Sequence, residues 1–216
     1  MVTSPRGTML GMYVPAKFQV GDDDAWRIVT DAGAGTLVLA TPEGLVSAFA
    51  PVIVSEDRRV LYSHLARANP WWRKVTPEME VLAIFVAASA YVSPSDYPSR
   101  SENPNIVPTW NYAMAQVHGR VRLHEDAEWK LDQVRALTHQ FERGRSPEWQ
   151  VDAMDETYRS SQLKAIIGVE IEVVAIDGKA KLSQNRPEID QRNVRERFAE
   201  GTLEQQIVAS RMKMIE

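Results

Sequence analysis

In the middle of the chain, apolar residues fall in short runs bounded by turn residues, as strands do. Thr36–Thr41 is apolar and β-branched, Pro42-Glu43-Gly44 is a turn, and Leu45–Val54 is apolar again. Glu56-Asp57-Arg58-Arg59 then turns the chain into Val60–His64. Short connections of this kind predict an antiparallel meander. Val81–Val92 is nearly continuous in apolar residues, as a strand covered on both faces would be, although a buried helix reads similarly.

The longest alternating segment is Pro108–His124. Trp110, Tyr112, Met114, Gln116, His118, Arg120 and Arg122 share one face. Asn111, Ala113, Ala115, Val117, Gly119, Val121 and Leu123 share the other, which is small and apolar enough for a barrel interior. The first face grades from aromatic to cationic, which suits a subunit interface, a cofactor wall or an outer surface packed on helices.

Helical spacing flanks these strands. Asp22-Asp23-Asp24 offers N-cap carboxylates to a helix through Trp26, Ile28 and Val29 that ends at Gly33 and Gly35. Pro70 suits the first turn of a short helix over Trp71–Val75. Glu125–Arg143 reads as an amphipathic helix with Trp129, Leu131, Val134, Leu137 and Phe141 as its buried stripe. Residues 155–165 read as another helix. Ile166–Ile176 is a strand, Asp177-Gly178 a hairpin turn, and Lys179–Ser183 the returning strand. Two helical stretches, Val194–Ala199 and Leu203–Met212, close the chain. The pattern predicts a mainly β, α+β fold: a barrel with peripheral helices. Residues 1–11 read as a loose arm and residues 12–216 as one domain.

Composition narrows the chemistry. With 216 residues and 44% hydrophobic content, the chain can bury a globular core. It has no cysteine, which excludes disulfides, Fe–S clusters, thiolate-ligated haem and covalently attached c-type haem. A net charge of −4 gives no basic footprint for DNA, so nucleic acid is not an expected partner. The N-terminal residues lack an apolar signal region, and Val81–Val92 is too short to span a bilayer; a cytoplasmic protein is expected. Neither a phosphate-binding glycine loop nor a His-Glu-x-x-His motif is present.

His64 is the leading chemical candidate. It is read as a strand-to-helix corner, from which a ring nitrogen could reach a flat cofactor, with Arg67 one turn on facing an anionic group. A haem-ligating imidazole must be neutral and have its second nitrogen held by an acceptor. An FMN phosphate would instead call for donors such as Arg67, Ser63, Lys74 or Arg120. A structural histidine capping a strand end is the plain alternative. His118 could touch a cofactor or a partner, while His124 and His139 read as solvated. Trp110 and Tyr112 could stack on a planar cofactor or form interface core. Ser183, Gln184 and Asn185 either donate to a ligand or cap their own turn. Glu170 and Glu172 read as solvent-exposed.

Five spaced motifs resemble the PaiB-like family of FMN-binding transcriptional regulators. They are Met12-Tyr13-Val14-Pro15, His64-Leu65-Ala66-Arg67-Ala68-Asn69-Pro70, Ala90-Tyr91-Val92-Ser93-Pro94, Val107-Pro108-Thr109-Trp110-Asn111-Tyr112 and Lys181-Leu182-Ser183-Gln184-Asn185-Arg186. The resemblance runs from about Met12 to Phe198. It implies a split β-barrel, a homodimer and a cofactor near the subunit interface. One branch, the piperazate synthases, binds haem b and cyclises N5-hydroxy-L-ornithine to L-piperazic acid. There the histidine of the His-x-x-Arg-Ala-Asn-Pro motif is the axial iron ligand, and it falls on His64.

Departures from the regulator pattern bear on the choice. Ala48-Phe49-Ala50-Pro51 replaces Thr-His-x-Pro, and Ala87-Ala88-Ser89 replaces Gly-Pro-His. Asp96 and Lys17 stand where an aromatic and a histidine are usual. Phe49 weakens the ordinary flavin site, yet it also departs from the piperazate synthase pattern. The resulting expectation is a haem b enzyme acting on an amino acid, with an FMN-binding regulator or flavin oxidoreductase as the alternative. His64 is assigned to the metal, and His64, Arg67, Asn69, Trp110, Tyr112 and Gln184 to the cofactor. Tyr91, Ser93 and Arg120 are assigned to the substrate.

Overall fold

A computed structural model describes residues 11–212; the expected N-terminal arm lies almost wholly outside them. In chain order the regular elements are α1 (Asp22–Ala32), β1 (Ala34–Thr41), β2 (Gly44–Val54), β3 (Val60–Ala66), β4 (Glu80–Val92), β5 (Thr109–His124), α2 (Ala127–Glu142), α3 (Glu156–Lys164), β6 (Ile166–Lys181), α4 (Glu188–Ala199) and α5 (Leu203–Met212). Short 3-10 helices intervene, among them Pro70–Lys74 and Pro94–Asp96. The mainly β expectation holds, and no helix among the described residues is long and apolar enough to cross a membrane.

The chain forms two compact units. The first comprises residues 33–84 and 117–176, and the second, among the described residues, comprises 11–32, 85–116 and 177–212. All six strands contribute to the first unit, where their order β1-β2-β3-β6-β5-β4 closes a barrel. Leu39 stands opposite Val81 where β1 meets β4, and His64 stands opposite Gly168 where β3 meets β6. Closure gives each strand a neighbour on both sides. Leu37, Leu39, Leu61, Val117, Ile167, Val169 and Ile171 point inward and are fully buried. On β5 the buried face is the one expected from the alternation, from Asn111 to Val121.

Helices α2 and α3 belong to the same unit. Asp126 and Asp155 cap them, accepting from the backbone N–H of Trp129 at 2.8 Å and Tyr158 at 3.0 Å. The expected apolar stripe on α2 is covered only in part: Trp129 seats over Gly168, and Leu131, Val134 and Leu137 are half-buried. Lys130 and Gln133 are the buried side chains, while Phe141 remains 47% exposed. Lys130 Nζ donates to the Leu163 carbonyl at 2.7 Å, which satisfies a free carbonyl in the last turn of α3. Burial pushes this ammonium below its ordinary range.

In the second unit, Ser93 and Asp96 close a capping box around Pro94–Asp96. Arg197 Nε reaches Asp96 Oδ1 at 3.1 Å. Fully buried Asp190 accepts from Ser99 N at 3.0 Å and Ser99 Oγ at 2.6 Å. The hairpin expected at Asp177-Gly178 does not form, because β6 continues straight through it. Gly178 serves packing instead of turning: a Cβ there would lie 2.5 Å from Val20 Cγ2 and 2.6 Å from Ala25 Cβ, so its bare Cα lets α1 approach the strand.

Candidate functional site

The first unit gathers a polar-aromatic cluster on the outer face of β3, β6 and the end of β5, under α2. Strand alternation puts Leu61, Ser63 and Leu65 inside the barrel and Tyr62 and His64 outside. His64 is therefore a mid-strand residue, two positions before the strand ends, and not the corner expected from the sequence. The short helix expected there forms as a 3-10 helix over Pro70–Lys74, capped by Asn69.

From α2, buried Gln133 presents its side-chain oxygen to His64 Nδ1 at 2.9 Å. In this pairing Nδ1 donates the hydrogen and Nε2 keeps its lone pair. Among the described residues Nε2 has no hydrogen-bond partner. Burial holds the imidazole below its ordinary titration range of 6.5, against the opposing effect of the Gln133 bond. The ring is thus neutral near pH 7, with one nitrogen fixed and the other able to donate electrons.

Trp129 occupies the space beside it. Its indole stacks on His124 at 4.0 Å and 5°, and meets Tyr62 edge-on at 6.1 Å. Beneath it lies Gly168, where a Cβ would sit 2.3 Å from Trp129 Cζ3. Glu170 accepts from His124 Nε2 at 3.0 Å and from Arg122 Nη1 at 3.1 Å. The sequence reading of Glu170 and His124 as solvated is thereby corrected: both are largely covered, and each gains from the other as a partner. Two more assignments resolve here. Arg67 is tied to Glu125 at 2.9 Å and to the Lys164 carbonyl at 2.8 Å, and Asn69 Oδ1 accepts from Trp71 N at 3.0 Å. Arg120 is freer, half-exposed and 3.8 Å from Glu78. Among the described residues no group of three or more His, Asp or Glu side chains could hold a metal ion.

The remaining assigned residues lie in the second unit. Gln184 follows the self-capping alternative: its oxygen accepts from Leu182 N and its amide donates to the Ala180 carbonyl. Ser93 caps its own 3-10 helix. Trp110 is 53% exposed and Tyr91 stands against it edge-on at 6.2 Å, while Tyr112 receives Lys179 Nζ 5.5 Å from its ring centre. Gln133 and Gly168 escaped the sequence reading, which places Trp129 only in the apolar stripe of its helix. Nothing in local spacing marks a glutamine 69 residues away as the partner of a histidine.

A sequence family described as "Putative FMN-binding domain" matches residues 12–175. The chain belongs to this family. In agreement with the motif resemblance, the chain is 30% identical over 190 residues to "Protease synthase and sporulation protein PAI 2" of Bacillus subtilis, covering 87% of this chain and 89% of that one. Among solved structures, an FAD and haem binding protein from Mycobacterium smegmatis superposes with a TM-score of 0.56 at 16% identity, over 76% of this chain and 73% of that one. The flavocytochrome Anf3 from Azotobacter vinelandii also gives 0.56, at 9% identity, over 74% and 67%. At such identities these two likenesses establish the split-barrel fold common to the FMN-binding-domain family.

Proposed function

We propose that this FMN-binding-domain protein is a haem b enzyme whose iron His64 would hold, and that it closes the N–N bond of L-piperazic acid from N5-hydroxy-L-ornithine. The observation that carries the reading is the neutral His64 imidazole, with Nδ1 donating to Gln133 and Nε2 unpartnered among the described residues. Those are the two requirements for an imidazole ligand, so the donor chemistry fits haem. Haem, when bound, would supply a Lewis acid for the hydroxylamine oxygen.

The chain's own residues supply orientation. Gln133 fixes the plane and tautomer of His64. Arg120 is suited to clamp the substrate carboxylate, because among the described residues only a loose contact with Glu78 competes for it. Arg67 is a poorer clamp, already engaged by a carboxylate and a carbonyl. Folding the substrate back on itself brings the α-amine to the N5 nitrogen. The N–N bond forms as the N–O bond breaks, and the hydroxyl leaves with one amine proton as water.

The test is reconstitution of the purified chain with haemin. A Soret band that His64→Ala removes, together with conversion of N5-hydroxyornithine, is expected. A second reading, an FMN-binding regulator or flavin oxidoreductase, is favoured by the family match over residues 12–175. It expects a yellow protein whose flavin bands survive His64→Ala, and that result would overturn the haem reading.

A further inference from the structure

A cavity of about 40 Å³ lies wholly within the second unit, bounded by α1, β5, β6 and α5. Strand alternation turns Ala113 of β5 and Ala180 of β6 inward, where both are buried. Neither side chain extends past its Cβ. Bare Gly178 seats Val20 and Ala25, which fixes the height of α1 above the strand. The hollow that the two alanines leave is walled by Val20, Ile28 and Leu182. It has room for about three water-sized groups.

Charged groups complete the lining: Asp24, Arg27 and Arg211. The Arg211 side chain belongs to the wall and is only 11% exposed, whereas Asp24 and Arg27 are open to solvent at the mouth. Arg211 Nη2 donates to Asp31 Oδ2 at 2.6 Å, and Arg27 Nη1 to Asp24 Oδ1 at 2.8 Å. Among the described residues each guanidinium makes that one hydrogen bond, and Asp24 Oδ2 accepts none. Each contact uses one corner of a fork of N–H donors, so Arg211 keeps donors for a second acceptor. The lining thus offers a cation, an anion and an apolar hollow. A plain acid would meet Asp24 as a like charge, and a plain amine would meet Arg211 so. A zwitterion with a short apolar tail pairs with both. We propose that this cavity binds a free α-amino acid with a short branched aliphatic side chain, of valine size. Arg211 takes its carboxylate, Asp24 Oδ2 its ammonium, and the isopropyl group fills the hollow between Ala113 and Ala180. His64 belongs to the other unit and takes no part, so the proposal holds whichever cofactor reading is right.

Isothermal titration of the full chain with L-valine tests it, and saturable binding is expected. L-Alanine leaves most of the hollow empty and should bind about tenfold more weakly or worse, while L-phenylalanine is too large to enter. Isovalerate lacks the ammonium and isobutylamine the carboxylate; each should lose about tenfold or more. Arg211→Met and Asp24→Asn should each raise Kd by about tenfold, and Ala180→Leu, which fills the hollow, should abolish binding. Circular dichroism checks that each variant is folded; should Arg211→Met unfold, the exposed Asp24→Asn carries the charge comparison. No saturable heat with L-valine, or unchanged affinity in the folded variants, overturns the proposal. Isovalerate binding as tightly as L-valine overturns the amino acid assignment.

Discussion

Gly168→Ala adds one methyl group between β6 and the Trp129 indole. The new Cβ would lie 2.3 Å from Trp129 Cζ3, 2.7 Å from Cε3 and 3.0 Å from His124 Cβ. The ring has little room to retreat, since His124 stacks on one face at 4.0 Å and Tyr62 meets it edge-on. Extra methylenes in a packed site cost about 1–3 kcal/mol. Alanine's smaller unfolded-state entropy returns about 0.4–1 kcal/mol. A net loss of about 1–2 kcal/mol is therefore expected, read as a lower urea midpoint at unchanged slope. The decisive comparison is a double-mutant cycle: in a Trp129→Ala background Gly168→Ala should be neutral or slightly stabilising. Because Gln133 lies one turn beyond Trp129 on α2, the displaced ring should also loosen the His64 bond, lowering the imidazole pKa measured by NMR, since that bond opposes the effect of burial. Gly168→Ala within about 0.5 kcal/mol of the parent would refute the packing argument.

Three further outcomes are expected. Burial lowers the His64 pKa below its ordinary 6.5, so below that pH the unfolded chain takes up a proton that the folded chain resists. Stability should fall as pH drops below 6.5 towards the folded value, and His64→Leu should flatten that part of the melting curve; an unchanged slope contradicts the assignment. Gln133→Leu removes the acceptor at Nδ1, and 15N spectra of labelled histidine should change from one tautomer to a mixture, with stability altered by under about 1.5 kcal/mol because the unpartnered Gln133 Nε2 is lost too. Asp190→Ala strands the Ser99 N–H and hydroxyl and should cost about 2–3 kcal/mol in urea denaturation; a loss under about 1 kcal/mol would mean water replaces the carboxylate.

Alternation along β5 and the turn chemistry between β1, β2 and β3 were legible because strand periodicity is local: two neighbouring residues must face opposite ways whatever the chain does elsewhere. His64 could be singled out for the same reason, by residue type and motif. Its environment could not. Which surface of α2 faces the barrel was settled by the close seat of Trp129 over Gly168, and that placed Gln133 on His64 and left Phe141 outside. The Asp-Gly pair at 177–178 carried a genuine turn preference, yet Ala25 of α1 packs against Gly178 and the strand runs on. A few tenths of a kcal/mol of local preference is outweighed by the burial of a helix against a sheet, roughly a kcal/mol or more for each covered side chain. Sequence therefore determined the strands, the faces and the candidate imidazole. Tertiary packing alone decided which nitrogen of that imidazole is held, because the partner arrives from a distant helix whose position depends on every contact beneath it.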